Sequence, residues 1–328
     1  MQALKINEYE AGQRLDKLLA KYLNLAPKSF LYKMMRKKNI TLNGKKCDGS
    51  EKLAVGDEIK LFLAEETIGK FSQVKESGAE STAGKRRLDI IFEDSNILIV
   101  NKPSGVLSQK AKESDYSLVE EIINYLVESN HIRVEQLRTF RPSVCNRLDR
   151  NTSGLVVAGK SLAGLQIMSE VFKDRSIHKY YQCIVSGKIR EKQVIAGFLK
   201  KDEAANQVSI YPVETEGSVP IMTEYVPLAG NDSYTLLAVT LITGRTHQIR
   251  AHLASIGHPI AGDYKYGKPS VNEAVKKKYH IRSQMLHSWK LVMPGLPAPM
   301  EALSGRTFEA PLPDAFQRMR EGEGFQDL

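Results

Sequence analysis

Two groups of apolar residues near the start of the chain recur at helical spacing: Leu15, Leu18, Leu19 and Tyr22, then Phe30, Leu31, Met34 and Met35. This spacing predicts two short helices, each of which buries one face. The segments ITLNG at 40–44 and EIKLFL at 58–63 have the composition of strands, and each adjoins a turn pair, Asn43-Gly44 or Gly56-Asp57. The first 65 residues therefore predict a small unit that mixes helices and strands.

Beyond residue 87 the pattern changes to short apolar runs with hairpin-like spacing. The predicted strands are LDIIFE and ILIVNK around an Asp-Ser-Asn turn, GLVVAGK, YYQCIVSG, VSIYPV, TEYVPLA, YTLLAVTLI and WKLVM. Helical spacing predicts helices at about 117–129, 162–174 and 245–256. Because strands outnumber helices, the predicted class is α+β: a mixed, largely antiparallel sheet with flanking helices, beside the small N-terminal α/β unit.

A segment of low apolar content separates the two units. Residues 66–86 contain three glycines, three serines and two threonines without a steady period, which is typical of a flexible linker. The chain is thus expected to divide into a small domain at 1–65, a linker at 66–86, a large domain at 87–315 and a C-terminal tail at 316–328.

Composition limits the class of protein. The chain has 328 residues, of which 42% are apolar and 26% charged, and this length predicts two globular domains. No apolar stretch approaches the roughly 20 residues that cross a bilayer, and the first residues lack the pattern of a secretory signal. Three cysteines, Cys47, Cys145 and Cys183, form no CxxC pair, which argues against a disulfide framework. We expect a cytoplasmic protein with no membrane partner.

Positive charge is concentrated in the small domain. The whole chain carries a net charge of +9, and residues 1–65 alone contain 13 basic and 8 acidic residues. The second predicted helix and the residues just after it carry five cations and no acid: Lys28, Lys33, Arg36, Lys37 and Lys38. Such a stripe fits either an ordinary solvated helix face or a surface that contacts a polyanion such as nucleic acid.

Several common chemistries lack their usual signatures. The sequence has no GxxxxGK[ST] loop, no GxGxxG after a strand and no GxSxG turn, which disfavours nucleotide hydrolysis, nicotinamide chemistry and serine hydrolysis. His247 and His252 are five residues apart on a predicted helix, so they face different sides and do not form a metal-binding pair. We expect neither a metal site nor a cofactor.

Three polar segments marked by glycine remain as candidates for chemistry. Asp149 lies between two arginines in NRLDRNTSGL, directly before an apolar strand. Tyr181 is on one face of the strand HKYYQCIVSG, and Arg250 lies within one helical turn of Thr246 and His247 in TGRTHQIRAH. Taken singly, these residues also fit a salt-bridged loop, a core tyrosine and a structural ion pair.

The order of the motifs is more specific than any one of them. RLDKLLAKYL, KSFLYKMMRKKNITLNGKK and VGDEIKL, within residues 12–63, resemble the S4 domain, an RNA-binding module. NKPSG, RLDxxTSG, K-x-Y, TGRTHQIRxHxxxxGHPIxGDxxYG and LHSW, within residues 88–312, resemble the RluA-type pseudouridine synthases. The RluC and RluD branches, which act on large-subunit ribosomal RNA, are the most similar, and HQIRAH argues against the RsuA-type branch.

The resemblance implies roles for particular residues. Asp149 matches the family's essential aspartate, Tyr181 its active-site tyrosine, and Arg250 the arginine paired with the aspartate. The residues with predicted RNA contacts are Arg147, which enters the RNA when the base is extruded, and Lys33, Arg36, Lys37, Lys38, Arg245 and His247. Asn146 stands where most relatives have histidine, which could change how the RLDxxTSG motif is supported or which RNA loop is accepted. Gln109 also stands where relatives often have histidine.

The implied activity is isomerisation of uridine to pseudouridine in large-subunit ribosomal RNA, by a monomer that acts on a flipped-out base. Asp149 could attack C1′ or remove the C2′ proton, and the sequence leaves both routes open. Three other interpretations are a catalytically silent RNA-binding protein, a synthase that acts on transfer RNA, and a carboxylate hydrolase. The presence of all three site residues disfavours a silent RNA-binding protein, and the S4 domain disfavours a synthase that acts on transfer RNA. The lack of a second acid in a comparable motif disfavours a hydrolase.

Overall fold

The computed structural model describes residues 1–72 and 87–327. The α-helices in these ranges are Leu15–Tyr22 (α1), Lys28–Arg36 (α2), Glu65–Phe71 (α3), Leu118–Glu128 (α4), Leu162–Lys173 (α5), Gln248–Ser255 (α6), Pro269–Tyr279 (α7) and Asp314–Gly322 (α8). None of these helices is long and apolar enough to cross a membrane.

The strands of the same ranges are Gln2–Lys5 (β1), Ile40–Leu42 (β2), Lys45–Lys46 (β3), Glu58–Leu61 (β4), Ile90–Glu93 (β5), Ile97–Lys102 (β6), Ser143–Val144 (β7), Ser153–Gly159 (β8), His178–Ser186 (β9), Gln193–Asp202 (β10), Gln207–Tyr211 (β11), Val219–Gly230 (β12), Tyr234–Leu241 (β13), Leu286–Val292 (β14), Thr307–Glu309 (β15) and Gln326–Asp327 (β16). Two short 3-10 helices cover Val134–Arg138 and Glu301–Leu303.

The small N-terminal unit is an antiparallel sheet in the order β1-β4-β2-β3, against which α1 and α2 pack. Both predicted helices are present, and Leu18 and Met35 of their apolar stripes share one core with Ile59 of β4. Asn43 and Gly44 both have positive φ angles between β2 and β3, as a tight hairpin turn requires. The local patterns of the sequence therefore predicted α1, α2, β2 and β4 of this unit, but not the edge strands β1 and β3.

The large unit is built on one extended sheet, whose main path runs β11-β10-β12-β13-β9-β14-β8-β6-β5. Its pairs are antiparallel except that β14 runs parallel to β8, so the predicted mixed, largely antiparallel sheet is confirmed. Helix α5 contributes to a core on one side, with Met168 and Val171 buried there. Helices α4, α6 and α7 contribute Ile122, Leu253 and Val275 to the largest core.

The range predicted as a linker begins with a packed helix. Helix α3 covers its first residues, Ile68 is buried in the small core, and the rings of Phe71 and Phe30 lie 4.7 Å apart. Ile68 and Phe71 are three residues apart and so share one helix face, which docks on the small unit. Residues 73–86 of the predicted linker lie outside the described residues.

The range predicted as a C-terminal tail also contains packed structure. Helix α8 begins before residue 316 and buries Phe316 and Met319 in the largest core. Beyond it, the Glu323 carboxylate accepts a hydrogen bond from the Tyr279 hydroxyl at 2.6 Å. The large unit therefore extends past residue 315. Phe316 and Met319 are three residues apart and so form one apolar helix face, which docks α8 on the core.

Candidate active site

Asp149 lies in the loop that joins β7 to β8, at the mouth of a strand that is buried at all seven positions. Its backbone carbonyl accepts a hydrogen bond from the N–H of Thr152 at 3.0 Å, which closes a turn. Lys102, which is completely buried, holds the loop from the other side: its Nζ donates to the carbonyl oxygens of Pro103, Val106 and Arg150. Burial lowers the pKa of Lys102 to about 7. Two independent sets of contacts thus fix the backbone around Asp149.

Arg250 on α6 joins Asp149 to a second carboxylate. Its Nη1 donates to Asp149 Oδ2 at 2.8 Å, while its Nε and Nη2 donate to the two oxygens of Asp263 at 2.7 and 2.9 Å. Asp263 is completely buried. Burial alone would raise the pKa of Asp263, but the Arg250 guanidinium holds it below its usual value. The two-point contact with Asp263 aims the third nitrogen of Arg250 at Asp149.

The sequence singled out Asp149 and Arg250 but gave no role to Asp263. The signal was present, because Asp263 belongs to the GDxxYG segment that ends the TGRTHQIRxHxxxxGHPIxGDxxYG motif. Its oxygen Oδ1 also accepts the backbone N–H groups of Lys265 and Tyr266 at 2.9 and 3.1 Å. Asp263 therefore shapes its own loop as well as orienting the arginine.

Tyr181 lies on β9 with 7% of its surface exposed. In the sheet it stands opposite Val239 of β13 and Ser288 of β14. Burial raises the pKa of Tyr181 to about 12. At neutral pH the hydroxyl is therefore protonated, and the side chain offers a ring and a hydrogen-bond donor but no base.

Helix α6 begins later than the predicted start at residue 245, which was wrong by about one turn. The helix begins at Gln248, and His247 before it adopts a left-handed conformation with a φ of 53°. The buried Gln248 amide explains this, because its Nε2 donates to the Met222 carbonyl and the Thr223 hydroxyl, both at 3.0 Å. These bonds to β12 hold the loop out of helical geometry, and such long-range contacts have no signature in the local pattern.

One cleft of about 1120 Å³ brings together six of the residues predicted for the site: Asp149, Tyr181, Arg250, Arg147, Arg245 and His247. The cleft carries an excess of positive charge, because Lys110, Arg150 and Lys265 also line it. The other four predicted RNA contacts lie elsewhere, exposed on the small unit: Lys33, Arg36, Lys37 and Lys38. A basic cleft around one paired carboxylate suits a polyanionic substrate.

Asn146 and Gln109, the two departures from the family pattern, have different environments. The Asn146 side chain accepts the Val157 N–H at 2.8 Å and donates to the Leu155 carbonyl at 3.2 Å. Asn146 thus supports β8 directly behind the Asp149 loop. Gln109 is exposed at the cleft wall.

The chain matches two family models. RNA pseudouridylate synthase matches residues 96–255, and the S4 domain matches residues 13–59. These segments agree with the large and small units of the fold and with the motifs that carry the resemblance.

Curated relatives extend along most of the chain. It is 29% identical over 329 residues to "Ribosomal large subunit pseudouridine synthase C" of Vibrio cholerae, which covers 98% of both chains. It is 31% identical to an "Uncharacterized RNA pseudouridine synthase" of Mycoplasma genitalium, over 87% of both chains. Among solved structures, "Human RNA Pseudouridylate Synthase Domain Containing 4" has the same fold, with a TM-score of 0.58 and 21% identity over 72% of this chain and 93% of that one. The chain belongs to the RNA pseudouridylate synthase family and carries an N-terminal S4 domain.

Proposed function

We propose that the protein converts specific uridines of large-subunit ribosomal RNA to pseudouridine, with Asp149 as the catalytic residue. The observation that carries the proposal is the Asp149–Arg250 pair in the cleft, in which Arg250 Nη1 donates a hydrogen bond to Asp149 Oδ2. The Asp149 side chain is 27% exposed, and no hydrogen bond from the described residues reaches its Oδ1. One oxygen is thus held while the other is open to a substrate.

Uridine and pseudouridine are isomers, and the chemistry balances within the substrate. The N1–C1′ bond breaks and a C5–C1′ bond forms, while N1 gains a proton and C5 loses one. Asp149 Oδ1 could add to C1′ or remove the C2′ proton, and both routes need an ionised carboxylate held at a fixed angle. Arg250 supplies that hold through a charge-assisted hydrogen bond.

A uridine in a stem or a stacked loop must leave the stack before its C1′ can reach Asp149, at a cost of a few kcal/mol. Arg147, exposed beside Asp149, can fill the gap left in the RNA. Stacking of the uracil on the ring of Tyr181 contributes about 1–3 kcal/mol to binding of the flipped base. Because burial raises the pKa of Tyr181 to about 12, its hydroxyl stays protonated at neutral pH and does not accept the C5 proton, so we propose Asp149 as the acceptor.

The proposed choice of ribosomal RNA rests on the small domain and on the relatives. The exposed cations of that domain are suited to the phosphate backbone: Lys33, Arg36, Lys37 and Lys38. The relative from Vibrio cholerae is named for the large ribosomal subunit. We also expect the protein to act in the cytoplasm, as a monomer.

Incubation of the purified protein with transcripts of large-subunit ribosomal RNA and of transfer RNA tests the proposal. We expect pseudouridine at defined uridines of the ribosomal transcript, and none with Asp149→Asn, which keeps the shape of the side chain and removes its charge. Conversion of transfer RNA alone would overturn the proposed substrate. Tight binding without conversion of either RNA would favour a silent RNA-binding protein instead.

A further inference from the structure

A chain of polar contacts leads from the β10–β11 hairpin to the Asp149 carboxylate. The backbone N–H of Val208 on β11 donates to Tyr266 Oη at 2.9 Å, and Tyr266 Oη lies 2.9 Å from His247 Nδ1. His247 Nε2 lies 3.8 Å from Asp149 Oδ2. These contacts therefore join four separate segments of the chain, which contain Asp149, Val208, His247 and Tyr266.

The contacts at Tyr266 favour one of the two neutral tautomers of His247. The Tyr266 oxygen accepts the Val208 N–H, and its own proton can then be donated to His247 Nδ1. If Nδ1 donated instead, the Tyr266 hydroxyl proton would have no acceptor among the hydrogen bonds of the described residues. The arrangement that satisfies every group leaves the imidazole proton on Nε2, the nitrogen that faces Asp149.

The surroundings of His247 keep its ring neutral. Its side chain is only 9% exposed, and burial lowers its pKa by more than the neighbouring Asp149 raises it. Arg250 and Lys265 lower the pKa further, against a weaker opposite effect of Asp263. The ring also meets the Tyr266 ring edge-on, with centroids 5.6 Å apart. His247 can therefore offer Asp149 a hydrogen-bond donor without adding a second positive charge.

We propose that Tyr266 and His247 are positioning residues that set the direction of the Asp149 carboxylate, an inference that rests on the proposed function. Arg250 and His247 both approach Oδ2, which leaves Oδ1 available to the substrate. In this proposal the 3.8 Å separation shortens to a hydrogen bond when substrate enters, as catalytic hydrogen bonds commonly do. His247 then acts inside the protein, in place of the RNA contact that the sequence predicts.

The test measures the single-turnover rate of pseudouridine formation at saturating RNA. The variants are Tyr266→Phe, His247→Ala, His247→Gln and the double variant Tyr266→Phe/His247→Ala. Tyr211→Phe is the matched control, because Tyr211 lies on β11, in the hairpin that contacts Tyr266, and makes no hydrogen bond to His247 or Asp149 among the described residues. Filter binding measures RNA affinity in parallel, and thermal unfolding confirms that each variant folds.

We expect Tyr266→Phe and His247→Ala each to lower the rate by about tenfold or more with unchanged RNA affinity, since misplacing a reacting group by about 1 Å can cost about 10²-fold. The double variant should be no slower than His247→Ala, because Tyr266 acts on the carboxylate through His247. His247→Gln should recover part of the rate, since its amide can donate from near the Nε2 position.

Wild-type rates in Tyr266→Phe and in His247→Ala would overturn the inference, while Asp149→Asn would still report separately on the proposed function. An unchanged rate at saturating RNA with weakened affinity would also overturn it, because His247 would then be an RNA contact. If His247→Ala does not fold, Tyr266→Phe decides the question, since it keeps the ring and removes only the hydroxyl.

Discussion

Gly154 and Ser288 approach each other so closely that no side chain fits at Gly154. A Cβ there would lie 2.1 Å from the Ser288 carbonyl oxygen, and Gly154 has a φ of 112°. The two residues pair β8 with β14 in parallel. Because Asp149 precedes β8 and Tyr181 stands opposite Ser288, this close approach sets the spacing of the two site residues.

Gly154→Ala should therefore damage both stability and activity. We expect a loss of about 3 kcal/mol or more in the free energy of unfolding, since the new methyl group must push two strands apart. Gly217→Ala is the control: its φ is also positive, at 74°, but the nearest atom to its added Cβ is 3.8 Å away. That variant should lose only about 1 kcal/mol and keep its activity. Equal losses in urea unfolding would mean that backbone strain, and not the close approach, explains the glycine.

Asp263→Asn should leave Arg250 without its two-point contact. The variant keeps the volume of the side chain but leaves a buried guanidinium with Asp149 as its remaining charged partner, and we expect a loss of about 3–5 kcal/mol in stability. The catalytic rate constant should fall more than the affinity for RNA, because the arginine no longer orients Asp149. Asp232→Asn is the comparison, since Asp232 pairs with Lys188 at 2.7 Å but is 91% exposed. It should change neither stability nor rate measurably, and a loss equal to that of Asp263→Asn would contradict the account.

His287 should make the protein sensitive to mild acid. The ring is completely buried between Ser153 and Ala310, and burial lowers its pKa to about 4. An unfolded histidine titrates near 6.5. The unfolded chain therefore binds the proton first, so the stability this ring contributes is present above pH 6.5 and is lost as the pH falls toward 4.

Between pH 7 and pH 5 we expect this loss to be about 2 kcal/mol. Urea unfolding at both pH values, for the wild type and for His287→Gln, measures it, because glutamine does not titrate. The difference between the two pH values should be smaller in the variant by about that amount. The same difference in both proteins would show that His287 is not the group responsible.

The small domain should contribute to RNA binding by neutralising phosphates of the backbone. Replacing Lys33, Arg36 and Lys37 by alanine should make the plot of log K against log salt shallower by roughly 0.7–0.9 for each phosphate that is no longer neutralised. Turnover at saturating RNA should be unchanged. Lys173→Ala is the control, because Lys173 is 77% exposed on α5 of the large unit. An unchanged slope in the triple variant would mean that these side chains do not touch the RNA backbone.

Local patterns in the sequence were sufficient for α1, α2 and most strands, because each buries a face whose spacing is visible in a short window. Motif resemblance paired Asp149 with Arg250, although the two lie far apart along the chain. The late start of α6 was not predictable, since it depends on bonds from Gln248 to β12. The roles of Asp263 and Tyr266 were missed for the same reason: a motif gives their order along the chain but not which atoms meet.

The most direct test of the central claim maps pseudouridine at single-nucleotide resolution in ribosomal and transfer RNA. The cells compared lack the protein, or are complemented with the wild type or with Asp149→Asn. We expect that specific uridines of large-subunit ribosomal RNA lose their modification, that the wild type restores it, and that Asp149→Asn does not. An unchanged map in cells without the protein, or restoration by Asp149→Asn, would contradict it.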